Sequence, residues 1–497
     1  MKPNQLIAVA LFFATTQICI SQNTYWTQQY GSRSSLMGGA VVGGVQDNSA
    51  LYYNPAGIAY IDSAYLNVSA NAYGIDYIQL KNGAGTGLDL TSLKTLIYPQ
   101  FISGLIKFKL MPKFKIAYGL LTRFRSEVKM NAENDGMYKI LLNSPDSQYY
   151  YGTFDYELSS ISQWGGISLA YKFNPKFSMG LTTFFTYTHF EDRRNTFCTA
   201  DVSMPNPDSS YTAKFQNSQF NQIDHFGLLF KLGFQFNWER FKLGWAITTP
   251  SVSLFGFGRI GRTIEYQNQN RFLTDTNALA RHSNWLVSDD HKGLRTDMRM
   301  PLSLSVGFEY LFKKTNTKFT MTAEAFYTIP KYVVAHSDDP VYVRPTDTYN
   351  GKTFDSLMYI NVENTAFANV AIGIDQKVGK RTQMYLGIRT DLNNAVDYNG
   401  QRTITTNTLN PTYNHYVHFS GGFTIRKGHS DITFGLNYGL GFTKLDKQVV
   451  NLSSPGVNAN LDNQNLYFLL QGPKQNLTAT NVHSISLIIG YTYYSKR

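Results

Sequence analysis

The 497-residue chain is rich in aromatics and poor in charge: Phe and Tyr number 34 each, while Asp, Glu, Lys and Arg together make 16%, against a usual quarter or so. A mean hydropathy of −0.26 excludes a bundle of membrane helices, and no run of about eighteen apolar residues follows the N-terminal stretch. The net charge of +11 is scattered among aromatics without a basic run or a recognition helix, which argues against nucleic acid and suits anionic lipid headgroups.

Taken in chain order, the first element is an export signal. Lys2 opens a short positive region, Leu6 to Thr16 supplies an apolar stretch too short to span a membrane, and Ser21 offers a cleavage point before Gln22. Residues 1–21 are expected to be removed. Ile18 ahead of Cys19 does not fit a lipid anchor, and cleavage leaves Cys198 as the only cysteine. Stability must then come from backbone ladders rather than a disulfide.

Residues 22–62 lack strand alternation. Gly38, Gly39, Gly43 and Gly44 make the stretch small and flexible, and Asn54-Pro55-Ala56-Gly57 follows. The plain reading is a solvated linker; a phosphate loop fails because no Lys-Ser or Lys-Thr follows the second glycine pair. The Asn-Pro step holds Asn54 extended and lets its side chain bond the turn ahead. Ala56 and Gly57 leave room for close backbone contact. Such a segment suits folding back into a lumen.

From residue 63 onward, period two dominates. In 431–443, Ile432, Phe434, Leu436, Tyr438, Leu440 and Phe442 share one face, and Thr433, Gly435, Asn437, Gly439, Gly441 and Thr443 the other. About fourteen such strands are expected: 63–79, 97–109, 113–130, 157–173, 176–194, 219–237, 240–260, 297–312, 317–332, 364–378, 381–393, 413–426, 430–447 and 481–494. Every second connection is short, as at Met111-Pro112, Asn174-Pro175 and Trp238-Glu239, whereas 131–156, 261–296, 333–363 and 448–480 read as long polar loops. Two alternating loop lengths, with an even strand number, mark a closed all-β transmembrane barrel with both termini on the short-turn, periplasmic side. Lipid demands closure, since an open edge would leave backbone groups unpaired in hydrocarbon.

Within strand 113–130, Phe114, Ile116, Tyr118, Leu120, Phe124 and Val128 are apolar. Parity then turns Arg123, Arg125, Glu127 and Lys129 toward the lumen. Arg123 and Arg125 are candidates for a carboxylate head group, because a guanidinium offers paired donors to two oxygens. The competing reading is a lumenal charge network with Glu309, Glu324 and Asp375. His415 and His418 fall on opposite strand faces and cannot chelate together; Asp289-Asp290-His291 is expected in a solvated loop. No metal or cofactor is called for. There is no Gly-x-Ser-x-Gly elbow and no acid–base constellation, so an enzyme is not expected.

This arrangement resembles the FadL/TodX family of outer-membrane transporters for long-chain fatty acids and other hydrophobic compounds. The resemblance rests on the signal, on Gly38, Gly39, Gly43 and Gly44, on Asn54-Pro55-Ala56, and on the strand count. Phe241 to Gly258 and the Pro-led strand from Met300 are similar in character to family segments. It implies an N-terminal hatch, or plug (22–62), inside a barrel (63–497). A hydrophobic ligand would be caught by loops, held in the lumen, and released sideways into the membrane after the hatch shifts. The family bends its third strand at a lateral gate, but no glycine occurs between Gly119 and Lys129 here, a departure that counts against a gate at that place. The resemblance thus leads to a monomeric outer-membrane carrier of fatty-acid-like molecules, in contact with outer-membrane lipid. The rival is a barrel of the same shape that serves as a partner or anchor in protein secretion; a passive porin has no plug-like segment.

Overall fold

The computed structural model describes residues 24–45, 47–61, 64–107, 111–140, 146–202, 211–268, 284–342, 344, 355–394, 414–442, 447–456 and 470–494. The export signal, Cys19 and the expected cleavage after Ser21 lie outside these residues. The strands are β1 (Ala64–Gly85), β2 (Leu88–Lys107), β3 (Phe114–Tyr138), β4 (Gln148–Asn174), β5 (Phe177–Val202), β6 (Tyr211–Asn237), β7 (Phe241–Thr248), β8 (Val252–Gln267), β9 (Trp285–Arg295), β10 (Ser303–Phe312), β11 (Thr317–Phe326), β12 (Ile329–His336), β13 (Tyr359–Asn364), β14 (Phe367–Lys377), β15 (Thr382–Asp391), β16 (His415–Lys427), β17 (Ser430–Phe442) and β18 (Ala479–Tyr494).

Fourteen of them close a ring: β1 to β7, then β10, β11 and β14 to β18, with β18 pairing back onto β1 from Ala64↔Tyr494 to Lys81↔Ala479. Every pairing is antiparallel. The outer wall is apolar and the inner wall polar or small, the inverse of a soluble protein: Leu436 is 57% exposed while its neighbour Gly435 and nearby Thr433 are buried. That inversion suits a wall bathed in hydrocarbon.

The strands depart from expectation in two ways. Strand 240–260 is one path broken at Thr249–Ser251: β6 pairs β7 along Lys231–Asn237 and β8 along Lys214–Leu228. Pro250 sits at the break, where it can give no ladder hydrogen bond. Most of residues 80–96 and of 131–156, read as connections, is strand. β3 to β6 run to 25–27 residues, far beyond the 9–11 that a span needs. Their inner faces bury Val128, Met130, Tyr150, Phe154, Leu158 and Phe190 in one core, so the wall continues above the membrane around apolar side chains. The outer alternates there are polar, which makes the sequence look like loop. Asp289, Asp290 and His291, likewise expected in a loop, lie in β9.

Residues 24–61 form no strand. They hold two short helices, Ser32–Leu36 and Ala50–Tyr53, and a 3-10 turn, Pro55–Tyr60. Nearly all of this segment is buried, and its contacts reach β4 to β7, β10 and β14 to β18, so it lies within the ring. A belt of inward glycines makes this possible. A side chain at Gly180, Gly233, Gly244, Gly307, Gly373, Gly387, Gly435 or Gly490 would run into Pro55, Asn54, Val42, Gly43, Met37, Gly38, Leu36 or Ser32 respectively. The inner alternates that read as merely small are the bed of the segment.

Candidate functional site

Strand β3 carries the first feature. Its ladder with β4 passes from Thr122↔Gln163 to Phe124↔Ser162, so Arg123 is an extra residue in a bulge. One inserted residue exchanges the two faces of a strand. Below the bulge Lys115, Ala117 and Leu121 point inward; above it Val128 and Met130 do. The expected inward facing therefore holds for Arg123 and fails above it. Arg125, Glu127 and Lys129 share the outer face, where Arg125 pairs with Glu127 at 2.8 Å and Lys129 with Glu157 at 2.6 Å. The Arg125 guanidinium lies 5.5 Å from the Tyr98 ring centre on β2.

The same bulge ends the pairing of β2 with β3, which runs from Lys107↔Lys115 to Phe101↔Leu121 and no further. Above that level β2 stays paired to β1 and β3 to β4. Between them is a seam without a ladder, crossed by Thr122 Oγ1 donating to Pro99 O at 2.9 Å and Lys129 N donating to Ser92 Oγ at 3.1 Å. The strand thus carries a bulge at Arg123, in a stretch where the sequence has no glycine. The carbonyls of Thr122 and Arg123 accept from the hydroxyl of Tyr30, at 3.3 and 3.2 Å. The N-terminal segment thus touches the seam directly.

Arg123 itself is 5% exposed. Its guanidinium lies 5.5 Å from the ring centres of Tyr25 and Trp164 and 5.9 Å from that of Tyr52. The ammonium of Lys231, also buried, is 4.8 Å from the centre of the same Tyr52 ring. Glu324, the carboxylate of this chamber, is already engaged by Trp26 Nε1 at 2.6 Å and Ser303 Oγ at 2.7 Å. Among the described residues no carboxylate pairs with Arg123 or Lys231, and Arg123 Nε has no hydrogen-bond partner. Tyr25 also stacks on Phe326 and Phe367, at 5.0 and 5.7 Å. The result is a chamber of aromatic faces in which two cations share the field of one carboxylate, Glu324, without an ion pair to it. Sequence reasoning named Arg123 but not Lys231, whose signal is a lone charge in Leu228-Leu-Phe-Lys-Leu-Gly-Phe234. It also missed Tyr25 and Tyr52, which arrive from the N-terminal segment.

The carboxylates named as a competing network do face inward, but they hold the segment rather than Arg123. Arg33 Nε meets Asp375 at 2.9 Å and Arg33 Nη2 meets Glu309 at 3.5 Å, with Lys242 on Glu309 at 2.7 Å. Arg389 donates to the carbonyls of Trp26 and Thr27, and Asp391 accepts from Trp26 N and Thr27 Oγ1. Asn54 is extended (φ −154°, ψ 101°), and its Oδ1 accepts from Ala56 N at 3.2 Å as the motif suggested. Asn54 Nδ2 donates both to Val42 O within the segment and to Phe234 O on β6, at 2.9 and 3.0 Å. Ser178 Oγ donates to Ala56 O at 2.9 Å, with Pro55 close against Gly180 and Gly57 against Val45. Burial raises the carboxyl of Asp47 above the ordinary carboxylate range, and Ser49 N and Ser34 Oγ donate to it. His418 is buried on the lumen side, 3.7 Å from Asp391.

No protein-family model and no curated protein matches the chain in sequence. Solved structures do match in shape. A Pseudomonas aeruginosa FadL homologue is 14% identical with a TM-score of 0.54, covering 96% of this chain and 99% of its own. The Pseudomonas putida toluene transporter TodX is 12% identical with a TM-score of 0.57, at 95% and 99% coverage. The Ralstonia pickettii toluene transporter TbuX is 11% identical with a TM-score of 0.51, at 94% and 98%. At these identities the likeness is one of fold, and it extends over the whole barrel.

Proposed function

We propose that this chain is a FadL/TodX-type channel of the outer membrane, carrying hydrophobic small molecules with an anionic head, long-chain fatty acids foremost. The observation that carries the reading is the chamber in which two cations, Arg123 and Lys231, sit among Tyr25, Tyr52 and Trp164 with one carboxylate, Glu324, between them. A carboxylate head would supply the missing counter-charge, with charge-assisted hydrogen bonds to a guanidinium. An acyl chain gains on the order of 0.8 kcal/mol for each methylene taken from water. The step asks for no covalent chemistry.

The route runs from the apolar upper wall to the chamber and out through the β2–β3 seam. Residues 24–61 act as the hatch: Tyr30 holds the bulge carbonyls, and Tyr25 and Tyr52 are walls of the chamber, so a ligand that moves the segment also frees the seam. Toluene, named for the structural neighbours, carries no charge and would leave Arg123 and Lys231 unmatched; oleate matches both. Uptake of labelled oleate is compared between a deletion strain, its complement and an Arg123→Ala complement. The reading requires uptake in the complement and a marked loss with Arg123→Ala. Equal uptake in all three strains sinks it.

A further inference from the structure

We propose that the short-turn rim of the barrel between β10 and β17 is a docking surface for an anionic phospholipid of the inner leaflet. The net charge of +11 is scattered along the sequence, but closure of the ring gathers part of it. The turns β10–β11, β14–β15 and β16–β17 lie side by side, because β11 pairs with β14 and β15 with β16. Gln376 Nε2 at the end of β14 donates to Thr315 O in the first turn at 2.8 Å. Arg426 N at the end of β16 donates to Arg381 O in the second, also at 2.8 Å. The three turns are thus fixed to one another.

Lys314, Lys377, Lys380, Arg381 and Lys427 stand exposed on these turns, and among the described residues none of them is in an ion pair. The other cations here are already matched: Lys313 by Glu239 of the neighbouring turn, and Arg426 by Asp431 at 3.1 Å. Glu239 is the one exposed carboxylate among the described residues of the short turns. Asp375 and Glu309 are buried on the lumen side, where Arg33 meets Asp375 at 2.9 Å and Lys242 meets Glu309 at 2.7 Å. Five cations therefore face outward with no carboxylate among them. Their mutual repulsion opposes folding, so stability gives no reason to collect them, and the patch is complementary to an anion.

The place of the cations points to a lipid. Phe312, Val378 and Ile425 are exposed at 49%, 62% and 43%, and Lys314, Lys380 and Lys427 stand two positions further along the chain. On β16 that step keeps the same, lipid-facing side. An acyl chain lying on this wall brings its phosphate to the level where the apolar band ends. A lysine stem can follow the wall while its ammonium reaches that level, and each basic residue there adds attraction for an anionic leaflet. A soluble acidic partner calls for charge alone; a cation at the foot of each apolar row calls for a lipid.

The proposal rests on the outer-membrane reading, and the test separates the two. Native mass spectrometry of the full-length barrel in detergent micelles is run with dioleoyl phosphatidylglycerol and with zwitterionic dioleoyl phosphatidylethanolamine. The wild type is expected to retain the anionic lipid over the zwitterionic one. The Lys380→Gln/Arg381→Gln/Lys427→Gln variant should hold it about tenfold more weakly. Lys81→Gln/Lys139→Gln/Lys292→Gln removes the same charge from exposed positions at the far end of the barrel and should not differ from wild type. Heat-modifiable mobility confirms that each barrel is folded. Equal retention of the two lipids by the wild type overturns the docking surface, as does equal affinity in the wild type and the folded rim variant. Binding of poly-glutamate by the wild type alone, without a difference between the lipids, gives the rim to a soluble acidic partner and overturns the lipid. Envelope fractionation stands apart from this: a chain missing from the outer-membrane fraction overturns the location on which the proposal rests.

Discussion

Moving a guanidinium from water to a buried site costs several kcal/mol of solvation even after relaxation, and three aromatic faces return only part of it. On the proposed reading, an anionic guest entering beside Arg123 restores that balance. Arg123→Ala should therefore lower affinity for oleate by at least tenfold, measured by titration calorimetry in detergent, whereas Arg125→Ala should leave it unchanged. A like loss in both variants would contradict the change of face at the bulge. Sequence parity named both arginines because a bulge has no sequence mark here: Thr122-Arg-Phe124 carries neither glycine nor proline. Asn54 was more legible, since the residue after it dictates its backbone. Its side chain joins Val42, Ala56 and Phe234, and Asn54→Ala takes the side-chain donor from the Val42 carbonyl and the acceptor from Ala56 N. The docking of residues 24–61 should weaken by about 2–3 kcal/mol, seen as faster cleavage of that segment by added protease while the barrel stays intact.

The N-terminal segment is held by a few polar pins at its ends and by close packing between them. Arg33 is the strongest pin, because Glu309 and Asp375 are both buried beneath it. Removing one partner of a buried ion pair costs about 3–5 kcal/mol, so Arg33→Gln should release the segment and raise single-channel conductance in planar bilayers. An unchanged conductance would show that packing alone holds it. Tyr30→Phe is a finer probe. It keeps the ring against Tyr52 and Phe101 but takes the donor from the Thr122 and Arg123 carbonyls. Hydrogen exchange in β3 above the bulge should quicken, while that in β16 and β17 should not. None of these pins was foreseen from sequence, because they join residues from 92 to 342 positions apart, and only the fold makes them neighbours.

For the whole molecule, the ring of fourteen strands was the most legible feature, since alternation along strands and alternation of connections report the same closure. Its upper extension was the least, because an outward polar alternate reads as loop until the inward one is known to be buried. The glycine belt lay in plain view as small inward residues, yet its meaning needs the segment beside it. Gly244→Ala tests that meaning: the added methyl overlaps Val42 O, so the barrel should fold and keep its heat-modifiable mobility while residues 24–61 become accessible to protease. The belt has one more consequence. Each glycine is a notch in a wall that still carries Ser178, Thr182, Thr322 and Ser420 between the notches. The segment is therefore keyed to one height, and once its pins let go it should leave that seat in a single step rather than slide by degrees.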